Sequence, residues 1–181
     1  MIPFRSLLGA AALGLAASTA SAAVLTFDDY TSVDLEQTSI EYRGLTFTKT
    51  LGNGYQYVWD GSSPNSNGTN ALIYGYGSGV TITRTGGGLF SLLNLDMAIS
   101  WYNSQATESV MINGTAFTLT QGLTELTTNL FGVSQVTISG SGAGYWLADN
   151  VTAAVPLPAG LPLLAAGLAG LGLLARRRKT A

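Results

Sequence analysis

The chain contains no histidine and no cysteine among its 181 residues. Without histidine there is no usual triad base, and without either residue the common zinc sites are excluded. Without cysteine an exported domain must hold together through its core, and through metal where it has one, because disulfides are not available. Positive charge is almost as scarce. Between the two chain ends the only cations are Arg43, Lys49 and Arg84, against all ten Asp and Glu residues, a formal charge of −7. The remaining cations, Arg5 and Arg176 to Lys179, lie at the ends. An acidic body with three scattered cations is a poor nucleic-acid binder.

What the chain does have is concentrated first at its ends. Arg5 precedes an apolar stretch from Leu7 to Ala17, and Ala20-Ser21-Ala22 follows in the small-x-small pattern of a signal-peptide cleavage site. Residues 1–22 therefore read as a signal peptide, with the mature start near Ala23. At the other end, Val155-Pro156-Leu157-Pro158-Ala159 leads into a charge-free run from Ala159 to Ala175, closed by Arg176-Arg177-Arg178-Lys179. As a helix those 17 residues would extend roughly 25 Å, near the lower limit for a bilayer span. Pro162 sits near its start, where proline costs least. Gly160, Gly167, Gly170 and Gly172 offer a narrow face for another helix. The four terminal cations should stay cytoplasmic, leaving the body on the far side.

A eukaryotic lipid-anchor signal would end in its apolar segment, and a Gram-positive wall-sorting tail would carry Leu-Pro-x-Thr-Gly; neither pattern is present. Motif, helix and cations in this order resemble the PEP-CTERM sorting signal of Gram-negative bacteria, in its Val-Pro-Leu-Pro-Ala variant, with Leu157 where the commonest form has Glu. The resemblance covers residues 155–181. It implies export through the secretion translocon, transient anchoring in the inner membrane, recognition and processing by an exosortase, and a final place at the cell surface or in the extracellular matrix.

The middle, residues 23–154, reads as one all-β domain. Thr, Ser, Val, Tyr and Gly dominate, and alternating runs are punctuated by Gly and Asn. Strands are expected at Val24–Phe27, Tyr42–Thr48, Tyr55–Trp59, Ala71–Tyr76, Val80–Arg84 and Phe90–Trp101, the last with a bulge near Asn94. Glu108–Ile112 and Ala116–Thr120 flank Asn113-Gly114, a two-residue hairpin signal. Leu123–Leu130, Val133–Ser139 and Tyr145–Thr152 complete the set. Nine or ten short strands in about 130 residues fit a jelly-roll β-sandwich. Leu45 with Phe47, and Val136 with Ile138, should face the core.

Phe27-Asp28, Gly44-Leu45-Thr46-Phe47 and Ala148-Asp149-Asn150-Val151 resemble segments found in bodies that carry this tail, and such bodies are similar to galactose-binding-like or carbohydrate-binding-module sandwiches. That resemblance implies binding of extracellular polysaccharide. It also implies a structural calcium joining the first and last strands, for which Asp28, Asp29 and Asp149 are the candidates, with backbone oxygens and water completing the shell; the plainer reading is that Asp28 and Asp29 cap a turn while Asp149 faces solvent.

The residues themselves offer two chemistries. Tyr55, Tyr57 and Trp59 fall on one face of a strand. Exposed, they make a flat platform for sugar rings; buried, they are packing. Trp101-Tyr102 and Tyr145-Trp146 sit at strand ends with the same two readings. The alternative function is an exported carbohydrate-active hydrolase using two of Asp60, Asp96, Glu108 and Glu125, since glycoside hydrolysis needs only carboxylates. Nothing in their spacing pairs them, and the main reading is non-enzymatic. Gly86-Gly87-Gly88 is a flexible turn without the Lys and helix of a phosphate loop. The three Asn-x-Thr sequons are discounted in a bacterial protein.

Overall fold

The structure is a computed structural model that describes residues 21–30, 37–50, 54–62, 64–100, 107–140 and 144–156, together with Leu164, Gly167 and Leu168. The chain divides into a body, Ala20–Pro156, and a second unit of Met1–Thr19 with Leu157–Ala181. The expected signal peptide lies outside the described residues, except for Ser21 and Ala22. The expected membrane helix does too, except for Leu164, Gly167 and Leu168, which are helical. No helix among the described residues is long and apolar enough to cross a membrane.

The body is an all-β sandwich, with twelve strands among the described residues. In chain order they are β1 (Ser21–Leu25), β2 (Ser39–Tyr42), β3 (Leu45–Lys49), β4 (Gln56–Trp59), β5 (Ala71–Tyr74), β6 (Val80–Arg84), β7 (Phe90–Ile99), β8 (Thr107–Ile112), β9 (Thr115–Thr120), β10 (Thr124–Val133), β11 (Gln135–Gly140) and β12 (Trp146–Val155). The first sheet runs β10-β7-β12-β5-β4, with β1 also on β12; the second runs β2-β3-β6-β11-β8-β9. All pairings are antiparallel.

Alternation builds the core. Leu45, Phe47, Val136 and Ile138 point inward from the second sheet as expected, and Leu92, Met97, Trp146 and Ala153 meet them from the first. Burying each large apolar side chain contributes about 1.5–3 kcal/mol. Phe27 stacks on Tyr42 at 4.8 Å and meets Phe47 edge-on at 5.6 Å. Tyr74 lies on Trp146 with ring centroids 4.2 Å apart. Gln56 links the sheets, its amide donating to the Phe47 carbonyl at 3.0 Å.

Two local features differ from expectation. The strand expected over Tyr42–Thr48 is a hairpin, β2 and β3, turned by Arg43 and Gly44 at φ 46° and 85°. A two-residue turn needs positive φ at both centres, and arginine gives no such signal in sequence. The bulge near Asn94 is present, at Leu93 against β12, but the ladder shifts elsewhere as well. Extra residues bulge out of β12 and β10 at Asn150, Asn129 and Gly132, each with positive φ. The Asn113-Gly114 hairpin forms as read, at φ 47° and 84°.

Candidate functional site

The first sheet has a second apolar cluster on the face turned away from the core. Its members alternate with core residues along each strand, so they project the opposite way. The register lays them out in cross-strand rows. Tyr57, Ile73, Leu147 and Ala98 form the middle row across β4, β5, β12 and β7. Tyr57 is only 5% exposed, and the other three are buried. Tyr55, Trp59 and Leu123 pack against this row and remain half-buried. The three aromatics expected on one face do share it. Tyr57 is packing, while Tyr55 and Trp59 flank it at the surface. Trp59 meets Tyr57 edge-on at 5.8 Å and donates through its indole nitrogen to Ser62 at 2.6 Å.

A further aromatic row lies on one side of this cluster. Gly75 donates to the Tyr55 carbonyl, and Ser100 to the Tyr145 carbonyl, so Tyr55, Gly75, Tyr145 and Ser100 are neighbours. The Tyr145 ring lies across the backbone of Gly75, and a Cβ added there would come within 3.0 Å of it. Tyr76, at φ 55° in the turn after β5, covers both neighbours, with ring centroids 5.4 Å from Tyr55 and 5.0 Å from Tyr145. Burial, and then a hydrogen bond with Tyr76, push the Tyr145 phenol pKa up. Tyr76 was expected as the last residue of the strand Ala71–Tyr76, but β5 ends at Tyr74 and Tyr76 sits in the turn beyond it. Trp146, next to Tyr145, faces the core, and Trp101-Tyr102 lie outside the described residues.

On the other side is a row of carboxylates. Asp149 pairs with Asp96 across β12 and β7, and Asp96 with Glu125 across β7 and β10. The sequence put Asp96 and Glu125 on its list of candidate carboxylates without pairing them; the register makes them cross-strand neighbours. Asp60 instead forms an Asx turn, accepting from the Ser62 amide at 3.1 Å, and hydrogen bonds with Ser62 lower its pKa. Glu108 belongs to β8 in the second sheet.

Asp149 is fully buried. The 61–70 loop folds over it: Asn67 and Thr69 donate to Oδ2 at 3.0 and 3.2 Å, and the Asn150 amide donates to Oδ1 at 2.7 Å. Burial, with a smaller contribution from the charge of Asp28, raises its pKa to about 6 despite those donors. Asn67 sits in an Asx turn, accepting from the Thr69 amide at 3.0 Å. The Asn-Gly-Thr spacing in sequence was the local signal for that turn; its docking on Asp149 is a long-range contact. Asn150 reaches across to Asp96 at 2.8 Å.

Of the three expected calcium ligands, Asp28 and Asp149 each accept hydrogen bonds from the loop between β4 and β5, and Asp29 is engaged elsewhere. Asp29 accepts from Tyr42 and from Arg43 at 3.0 Å, and these bonds lower its pKa. Asp28 accepts from the Asn70 amide at 3.1 Å, in the same loop that covers Asp149. The Asn70 side chain also faces the carbonyls of Phe27, Asp28 and Tyr30 at 3.3–3.4 Å. Among the described residues no three carboxylates form a metal-holding group. Asn67 and Asn70 turn N–H donors toward Asp149, Asp28 and these carbonyls, so among the described residues the two aspartates are held by hydrogen bonds.

No protein-family profile matches the chain, and no curated protein does. Solved structures do resemble it. The CBM22-1 xylan-binding domain of Paenibacillus barcinonensis Xyn10C aligns with TM-score 0.47 and 11% identity over 77% of this chain and 97% of that one. The CBM22-1–GH10 modules of Clostridium thermocellum xylanase 10B, complexed with xylohexaose, align with TM-score 0.46 and 12% identity over 73% of this chain. The chain spans 28% of that protein's length. A family 29 carbohydrate-binding module from Piromyces equi aligns with TM-score 0.33 and 14% identity, over 75% of this chain and 92% of that one.

Proposed function

We propose that the chain is an exported, non-enzymatic surface or matrix protein whose body binds polysaccharide on the outer face of the first sheet. The observation that carries this is the contiguous ring set of Tyr55, Tyr76 and Tyr145 beside a packed apolar row, with Trp59 on the far side of Tyr57. Rings held by neighbouring rings and by Gly75 are pre-organised, so binding a sugar face to them costs little side-chain entropy. The hydrolase reading would draw on Asp96 with Asp149 or Glu125. Asp149 is sealed from solvent and both its oxygens accept hydrogen bonds, so it has no route to a glycosidic oxygen.

Export and sorting rest on the two ends: residues 1–22 as signal peptide, Val155 to Ala159 as the exosortase motif, and Arg176 to Lys179 as the topology signal in the inner membrane. A structural calcium held by Asp28 and Asp149 would tie the end of β1 to β12 and neutralise the buried carboxylate. The test of the function is retention of the purified exported protein on insoluble and soluble polysaccharides, with release of reducing ends followed in parallel. Retention without hydrolysis is expected. Hydrolysis lost in Asp96→Asn would replace this reading with the enzyme. The test of sorting is the intact mass of protein recovered from the medium, which should lack the segment from about Pro158 onward; a mass including Ala181 would refute it.

A further inference from the structure

We infer that the polysaccharide taken by this face is uncharged, and that Tyr76 and Tyr145 are its outermost contacts. This rests on the reading of the face as a polysaccharide site and narrows it to one chemical class. The first argument is electrostatic. The six strands of the first sheet contain Asp96, Glu125 and Asp149 and not one Lys or Arg. The three cations of the body are all placed elsewhere or engaged. Arg43 is paired with Asp29 at the β2–β3 turn. Arg84 bends back toward Gly88 in the β6–β7 turn. Lys49 ends β3 in the second sheet and donates to the Gly54 carbonyl at 2.6 Å, so its charge stays off the first sheet. A uronate or sulfated chain laid on this face would meet carboxylates with no counter-charge, and like charges juxtaposed across an interface oppose binding strongly. Anionic polysaccharides are instead gripped through Arg and Lys donors, which this sheet lacks.

The second argument is the kind of polar group the face does present. Tyr76 and Tyr145 share a hydrogen bond through their phenols. Hydroxyls both donate and accept, which matches the hydroxyl-rich edge of a neutral sugar rather than an acceptor-only carboxylate or sulfate. The rings supply the rest. Tyr76 is 58% exposed, so its outer face is open to the CH side of a pyranose.

The experiment uses the full exported protein against neutral glucans, mannans and xylans, and against alginate, polygalacturonate and a sulfated glycan, at low and high salt. The variants are Tyr76→Ala, Tyr76→Phe and, as a control on an exposed ring of β10, Phe131→Ala. Binding to at least one neutral glycan, insensitive to salt, is expected. Tyr76→Ala should weaken it about ten-fold and Tyr76→Phe about three- to five-fold, since the ring stays and the hydroxyl goes, while Phe131→Ala leaves it within about two-fold. Because Tyr76 is exposed, its replacement should leave the melting curve in place, which separates lost contact from lost fold. Binding confined to anionic glycans would overturn the charge class while leaving the face as the site. Neutral binding that survives Tyr76→Ala would overturn the role given to the tyrosines. Binding to none of the glycans would remove the underlying polysaccharide reading.

Discussion

Asp149 offers the most quantitative test of this architecture. Its carboxyl is buried under the 61–70 loop, and its pKa rises from 3.8 to about 6. The folded protein therefore holds that proton more tightly than the unfolded chain does. The stabilisation is fully present below about pH 4 and is lost as pH rises through about 6. The full difference corresponds to about 3 kcal/mol, and screening around the loop reduces it toward about 1.5. For a body of this size that amounts to a melting midpoint roughly 5–10 °C higher at pH 4.5 than at pH 7.5. Asp29 works in the opposite sense, since its lowered pKa stabilises at neutral pH, but it is exposed and its effect is small. The assay is thermal melting of the purified protein in chelator across pH 4.5–7.5, with Asp149→Asn as reference. The wild type should lose stability toward neutrality more steeply than the variant. Calcium should then restore the neutral-pH midpoint of the wild type alone, because an ion that binds only the native state stabilises it by mass action. Parallel pH curves for the two proteins would refute the buried-carboxylate argument. A calcium effect that persists in Asp149→Asn would refute the metal assignment.

Other expectations follow from single contacts. Gly75→Ala should cost about 1–3 kcal/mol by melting, because the new methyl displaces the Tyr145 ring, and should weaken glycan retention in step. Asn113→Ala should cost about 1–3 kcal/mol, since Asn113 holds positive φ and its side chain accepts from the Thr137 amide at 2.7 Å; an unchanged midpoint would discount that clamp. Replacing Arg176 to Lys179 by Glu should impair membrane retention and processing, read as the fraction of unprocessed protein in the membrane pellet.

The legible parts of the fold were those with local causes. Leu45 with Phe47 and Val136 with Ile138 alternate, and Asn113-Gly114 names its own turn. The Arg43-Gly44 turn was missed because only one of its two residues tolerates positive φ cheaply. Positive φ at Asn129 and Asn150 is equally silent in sequence, although asparagine is the residue that best accepts it. In the site, the shared face of Tyr55, Tyr57 and Trp59 came from period-two spacing. The carboxylate row did not, because Glu125, Asp96 and Asp149 meet only through the order β10-β7-β12. Nothing short of that order shows that Asp149 is buried or that Asn67 sits on it.

The position of β12 bears on how the body responds to being pulled. It is an interior strand of ten residues, bonded to β7 on one side and to β5 and β1 on the other. Its last residues lead straight into Pro156 and the C-terminal segment. A force applied through that segment runs along β12, while the hydrogen bonds of an antiparallel ladder run across it. The bonds on both flanks would then be loaded together in shear instead of opening one after another. A pull on the C-terminal end directed along β12 would therefore meet more resistance than thermal stability alone suggests.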